Sequence, residues 1–414
     1  MTADIIVLGA GSAGLAAAVT AAREGARTIL IERHGYAGGM GTASLVHTFC
    51  GLYRMGEGPA TLANPGFPAE MADRMMAATG ESGPVKMGRV WVLRQHPVDF
   101  VRISDALLRE SGVEIRYHTE AISVSRVGGD WLLKTNCRGR REEIYGRAII
   151  DASGDAVLAE MLGGETEQAA PSQLQRPAYV FGLQGFTEGE KGLTLAGRLV
   201  DGVRRGLLPK ASMGLHFRES GRAGEMFGTI DLSADEAGEY DPLDPNCLAR
   251  LEQMGRDIAG AAIDFLRVEA DGWSRCYISH WPVRAGVRES RRWRGAARLT
   301  ETEVMNGSRH EDDIALASWP LEFRETNRGP KLRYPQDDRA AGIPLGCLVP
   351  EGLERVFTAG RCISCDHGAQ ASIRVMGTCF ATGQAAGLGA VLAVRGEAVE
   401  GLRSELISRF GAWE

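Results

Sequence analysis

The sequence has no surplus of positive charge. Its 47 Lys and Arg residues stand against 53 Asp and Glu, a formal net charge of −6. Such a chain offers no basic field to nucleic acid or to an anionic membrane surface, and no nucleic-acid partner is expected. It also shows no apolar stretch of the roughly 18–20 residues that a spanning helix requires, so no membrane span is expected. The N-terminus enters an apolar strand directly, without a basic n-region or a small-residue cleavage site, and the expected location is cytoplasmic. Cysteine is scarce: eight scattered through 414 residues fit reduced thiols buried as small hydrophobes better than a disulfide framework. Cys362 and Cys365 form a Cys-x-x-Cys, but no second pair with ligand spacing accompanies it, so no metal site is expected.

What is present begins at residue 5. The apolar run Ile5-Ile6-Val7-Leu8 ends in Gly9-Ala10-Gly11-Ser12-Ala13-Gly14 and opens into Leu15-Ala16-Ala17-Ala18-Val19, the pattern of a strand, a tight turn and a buried helix. Gly9 permits the turn, Gly11 lets backbone N–H groups approach a pyrophosphate, and Gly14 lets helix and strand pack closely. The helix N-terminus, through Ser12 and Ala13, faces the anion with its positive dipole end. The next strand, Thr28-Ile29-Leu30-Ile31, ends on Glu32, eighteen residues past Gly14. A carboxylate there suits two free ribose hydroxyls and would repel a 2′-phosphate. Arg33 follows, then a second glycine cluster, Gly38-Gly39-Met40-Gly41-Thr42, which reads as a second phosphate loop.

Glu32-Arg33 with Gly38-Gly39-x-Gly-Thr resembles the FAD-dependent oxidoreductases of the glutathione-reductase structural superfamily. That resemblance implies FAD as cofactor, lying extended beneath the second loop. Further along, a helix from Pro97 to Glu110, a strand from Val113 to His118 and a hairpin of Ala121–Val127 with Trp131–Thr135 lead to Ala148-Ile149-Ile150-Asp151. This reads as a β-meander inserted in a parallel sheet. It ends in Ala152-Ser153-Gly154-Asp155, similar to the Ala-Thr-Gly-Asp turn of the superfamily, which puts Ala121, Ser153, Gly154 and Asp155 among the expected cofactor contacts. Asp155 also suits the N-cap of the following helix. Two later stretches extend the resemblance. Arg288-Glu289-Ser290-Arg291-Arg292 is similar to a motif in one branch of FAD-dependent oxidoreductases. The strand Val356–Ser364, carrying Gly360 and Arg361, followed by Ser372, Val375, Met376 and Gly383-Gln384-Ala385-Ala386-Gly387, looks like the closing FAD motif of the family. There the last strand returns beside the first, and the next helix aims its N-terminus at the flavin.

The expected fold is α/β: a Rossmann-like FAD-binding domain formed by residues 1–162 with 340–414, interrupted by a mixed α+β substrate domain over 163–339. Within that insertion Pro177–Leu183 and Met226–Leu232 read as strands, and Pro245–Arg267 as a long amphipathic helix. No second Gly-x-Gly-x-x-Gly follows a strand, so nothing marks a separate NAD(P)H domain. His367 is the best acid/base candidate, since histidine titrates near neutrality. Arg374 suits an anionic substrate or the flavin itself, and Arg288 suits a substrate carboxylate. His47, close to Cys50 and just past the second loop, is a weaker candidate and reads equally well as a satisfied histidine in a half-buried strand. The expected activity is hydride transfer between FAD and a small organic substrate. A flavin monooxygenase or halogenase, and an FAD-binding electron-transfer subunit, are the alternatives.

Overall fold

The computed structural model describes residues 2–232, 240–325 and 329–413. Its organising layer is a seven-stranded sheet. Strand β1 (Thr2–Leu8) pairs in parallel with β2 (Thr28–Ile31) on one side and with the twelve-residue strand Arg140–Asp151 on the other; Glu114–Arg116 extends the parallel set beyond β2. β2 is buried throughout and β1 over most of its length, as expected of strands covered on both faces.

The strand Arg140–Asp151 has two partners in succession along one edge. Its first half, through Gly146, pairs antiparallel with Asp130–Cys137 in the meander, while its last three residues pair in parallel with Val356–Thr358. The closing strand therefore lies beside Arg140–Asp151 and not beside β1 as the sequence suggested. The meander has turned away by residue 149, which leaves that edge open for the incoming strand. The closing strand is also shorter than expected, ending at Thr358. Gly360 takes φ 77° and a Cβ there would sit 2.8 Å from Ala13 Cβ, so the chain turns away against the first helix.

That helix, α1 (Ser12–Arg23), crosses the twenty-residue helix Met376–Arg395 at close range: Cβ atoms on Gly383 or Gly387 would overlap the backbone of Ala13 or Ala17. The Gly-Gln-Ala-Ala-Gly segment is thus a helix-packing surface. Met376–Arg395 is long and apolar enough to cross a membrane, contrary to the sequence expectation, because glycine, alanine and threonine keep it uncharged without large side chains. Its apolar window is 94% buried inside the protein, where it meets α1 and the sheet.

A second, four-stranded antiparallel sheet carries Ala178–Gln184 at its centre, between Glu225–Asp231 and Tyr277–His280. Helix Pro245–Glu269 packs on it, capped by Asp244, whose carboxylate accepts from Asn246 N and Cys247 N. Tyr179, Phe181, Leu251, Ile258, Leu266 and Trp273 belong to one core there. Core residues from Leu299 to Phe323, Trp319 excepted, join the cluster of α1 and Met376–Arg395 instead.

Candidate functional site

At the C-terminal ends of β1, β2 and Arg140–Asp151 the strands open into a cleft of about 270 Å³. This is where parallel sheets place ligands, since the loops diverge and helix N-termini converge there. Gly9, Gly11, Ser12, Ala13, Glu32, Arg33 and Gly39 line it, with Ala121, Ser153, Gly154 and Asp155 and with Gly360, Arg361, Arg374 and Met376.

The glycines of the first turn differ in what requires them. Gly9 has φ 93°, and a Cβ would come within 2.6 Å of Ala152 O. A Cβ on Gly14 would overlap Gly9 O. Both are demanded by the protein's own backbone. Gly11 is not: its φ is −67°, and its Cβ would find nothing nearer than Gly39 Cα at 4.0 Å. The open side of Gly11 faces the cleft, at the uncapped start of α1, whose first turn carries no acidic residue. A glycine that the fold does not need, at a helix N-terminus, is what close approach of a diphosphate requires.

The second loop is pinned to the first by Gly38 N donating to Ala10 O at 2.8 Å. Thr42 Oγ1 donates to Ala37 O, a Cβ on Gly38 would overlap Thr42, and one on Gly41 would lie 2.6 Å from Phe100. Gly14, Gly38, Gly41 and Thr42 therefore shape the loops from behind, and of the second cluster Gly39 and Met40 reach the cleft. Glu32 is 8% exposed. Its Oε2 accepts from Ala10 N at 2.8 Å and its Oε1 from His34 N at 2.9 Å. The carboxylate ties β2 to the first turn while keeping lone pairs toward the cleft.

Asp155 does not cap the helix that follows; Ala156 occupies that position. Asp151, fully buried, accepts from Leu158 N, Ser153 N and Trp293 Nε1 instead. Asp155 Oδ1 accepts from Arg361 Nη2 at 2.5 Å and Ser290 Oγ at 2.7 Å.

Ser290 belongs to the Arg-Glu-Ser-Arg-Arg segment, which is built into the interior. Arg292 Nε donates to Cys365 O, and Arg292 Nη1 to the fully buried Glu289. Arg288, expected at a substrate carboxylate, has both arms engaged: Nη2 meets Asp231 Oδ1 at 2.8 Å and Nη1 meets Arg176 O at 2.5 Å. It does not line the cleft. Asp231 also pairs with Arg324, and Arg324 with Glu322. Burial would raise the Glu322 carboxyl, but Arg374 and Arg324 outweigh it and hold it down at about 2. Arg374 reaches the cleft from that network. Its Nη2 donates to Glu322 O at 3.2 Å and Gln175 Oε1 at 3.4 Å, while its buried Nε has no hydrogen-bond partner among the described residues. Burial lowers its pKa to about 10 against the pull of Glu322.

The structure separates other candidates from the cleft. Ser372 Oγ donates to Trp319 O, and Val375 packs with Val90, Val92 and Trp319. At the start of Met376–Arg395, Gly377 N donates to Cys50 O, so that amide is already used. His47 is buried against Phe227, ring centroids 4.8 Å apart, with Nδ1 3.2 Å from Leu45 O. Burial, reinforced by Arg218, pushes its pKa down to about 3, so it is neutral at ordinary pH. Burial pushes the Cys50 and Cys362 thiols up to about 12 and Cys365 upward as well; none is poised as a thiolate. His367 stands outside the cleft lining, its Nδ1 on Glu289 at 2.9 Å.

Sequence reasoning missed Arg284, Met40 and Cys379, which also line the cleft. Arg284 left no local signal; Gly286, whose Cβ would lie 2.9 Å from Met40 Cε, is the one residue that hints at a close approach to the second loop.

The family description "FAD dependent oxidoreductase" matches residues 4–407. A search of curated proteins finds no match. Among solved structures the chain is similar to a geranylgeranyl bacteriochlorophyll reductase-like protein from Thermoplasma acidophilum, at 13% identity and a TM-score of 0.52, covering 99% of this chain and 84% of that one. An anhydrotetracycline hydroxylase from Streptomyces rimosus aligns at 13% identity and a TM-score of 0.47, over 98% and 65%. A p-nitrophenol 4-monooxygenase from Pseudomonas putida aligns at 11% and 0.47, over 98% and 84%. The first shows a shared fold.

Proposed function

Because the chain belongs to the FAD-dependent oxidoreductase family, we propose that its cleft holds FAD along the line of residues just described and that a small organic substrate meets the cofactor at the Arg374 end. The observation that carries this reading is Gly11, a glycine open to the cleft that the fold itself does not require. FAD supplies the capacity to accept or donate a hydride. The chain supplies the rest. Glu32, Arg33 and Ala121 hold the adenosine end, the Gly9–Gly14 turn with Gly39 takes the diphosphate, and Gly360, Arg361 and Met376 hold the ring end. The two-loop arrangement and the Ala-Ser-Gly-Asp turn support placing the chain in the glutathione-reductase-type superfamily.

Arg374 offers an unpartnered donor to an anionic group of the cofactor or substrate. His367 is assigned a supporting position: Glu289 fixes its Nδ1, and its Nε2 has no hydrogen-bond partner among the described residues. It connects to the cleft through Gln175, whose N donates to Glu289 and whose Oε1 accepts from Arg374. We assign cofactor binding to residues 1–162 with 340–414 and substrate binding to the insertion 163–339. The separate core around Tyr179 and Trp273 supports that division, and the packing of Leu299–Phe323 with the nucleotide side draws the insertion's own core back to Leu174–Ala285.

The test is an anaerobic absorbance spectrum of purified protein challenged with metabolite pools. Substrate-dependent bleaching of bound flavin without oxygen supports hydride transfer at this site. A flavin reducible only by a protein partner would contradict it.

A further inference from the structure

Arg284 comes from the chain that leaves the second sheet after Tyr277–His280, yet it is positioned against the nucleotide loops. Val283 N and Arg284 N both direct toward Ala43 O, at 2.8 and 3.3 Å, and Gly286 exchanges hydrogen bonds with Ala178 in the second sheet. Arg284 lines the cleft together with Gly11, Gly39 and Arg361. The Nε is shut off from solvent and has no hydrogen-bond partner among the described residues. A buried guanidinium donor left unpaired is costly. It persists where a ligand supplies the acceptor.

The charges around it define that ligand. Arg33, Asp155, Arg361 and Glu32 act most strongly on Arg284, and Glu252, which accepts from Ala285 N, acts on it as well. Asp155 is committed to Arg361, and Glu32 to two backbone N–H groups. Neither carboxylate pairs with Arg284. Arg284, Arg33 and Arg361 all line the cleft, to which the N-terminus of α1 adds partial positive charge. Burial, reinforced by Arg33 and Arg361, lowers the Arg284 pKa to about 10, so it remains a cation at neutral pH. A planar fork suits diphosphate oxygens, which accept two donors at once.

We propose that Arg284 is a ligand of the dinucleotide's diphosphate, contributed by the substrate-side sheet, so that bound cofactor ties the second sheet to the two glycine loops. The inference rests on the FAD assignment above.

The test titrates apoprotein with FAD, ADP and adenosine by calorimetry, for wild type and Arg284→Ala. A lost charged hydrogen bond weakens binding by about one to two decades. The expected result is a 10- to 100-fold loss for FAD and for ADP with adenosine unchanged. Equal losses for ADP and adenosine would place Arg284 at the nucleoside and overturn the proposal, as would an unchanged ADP affinity. If Arg284→Ala apoprotein does not fold, Arg284→Lys is read in the same titrations. It keeps the charge but loses the fork, and must weaken ADP while sparing adenosine; no difference from wild type overturns the proposal. Wild-type apoprotein that takes up neither FAD nor ADP would instead remove the cofactor placement on which the inference rests.

Discussion

His367 Nδ1 lies 2.9 Å from Oε1 and 3.0 Å from Oε2 of Glu289, a carboxylate with no solvent exposure. Burial disfavours the imidazolium, but the hydrogen bond and the charge of Glu289 prevail and raise the His367 pKa. A raised histidine pKa contributes stability that is fully present below the unfolded value of about 6.5 and is lost as pH rises through the folded one. The difference in urea midpoint between wild type and His367→Gln should therefore be larger at pH 6 than at pH 9. A difference that is flat across that range would separate the two groups energetically.

Glu322 is held at about 2 because Arg374 and Arg324 outweigh the effect of burial. A depressed carboxyl contributes stability that is present above its unfolded pKa of about 4.5 and is lost as pH falls toward 2. Glu322→Gln removes the carboxylate beside Arg374 and leaves Arg324 only Asp231, at a cost of about 3–5 kcal/mol near neutrality. Thermal unfolding at pH 7 and pH 3 should show the gap narrowing in acid. A variant as stable as wild type at pH 7 would contradict the network.

Glu32 accepts two backbone hydrogen bonds in addition to facing the cleft. Glu32→Ala should lose about one to two decades in FAD affinity and also lower apoprotein stability, because Ala10 N and His34 N lose their acceptor. Glu32→Gln, which retains a carbonyl oxygen, should recover part of both. Equilibrium dialysis with FAD, alongside apoprotein melting, separates the two effects. Wild-type stability in Glu32→Ala apoprotein would mean the backbone donors find other partners.

The part of the cleft lined by Gly9, Gly11, Glu32 and Gly39 was legible because its signals are local. The turn Gly9–Gly14, the acid Glu32 and the second glycine cluster all lie within 42 residues, and each has a backbone or charge reason that survives without tertiary context. The surroundings of Arg374 were not. Arg288 reads as a free fork in sequence, but Asp231 and the Arg176 carbonyl, distant along the chain, take both its arms. Arg284 carries no motif, and only the docking of residues 283–286 on Ala43 and Met40 brings it to the cleft. The closing strand was assigned to the wrong neighbour because one strand, Arg140–Asp151, pairs with the meander and with Val356–Thr358 in succession along one edge. No periodicity in either segment encodes that hand-over.

Gly11 offers the most direct measurement. Its φ of −67° suits any residue and its Cβ would meet no protein atom closer than 4.0 Å, whereas Gly14 is closed by the Gly9 carbonyl. The FAD content of purified Gly11→Val, read from the absorbance spectrum and compared with the melting temperature of its apoprotein, tests whether this glycine serves a ligand. The account predicts a folded, colourless protein with the apoprotein stability of wild type. A folded Gly11→Val protein with wild-type flavin content would contradict the placement of FAD in this cleft.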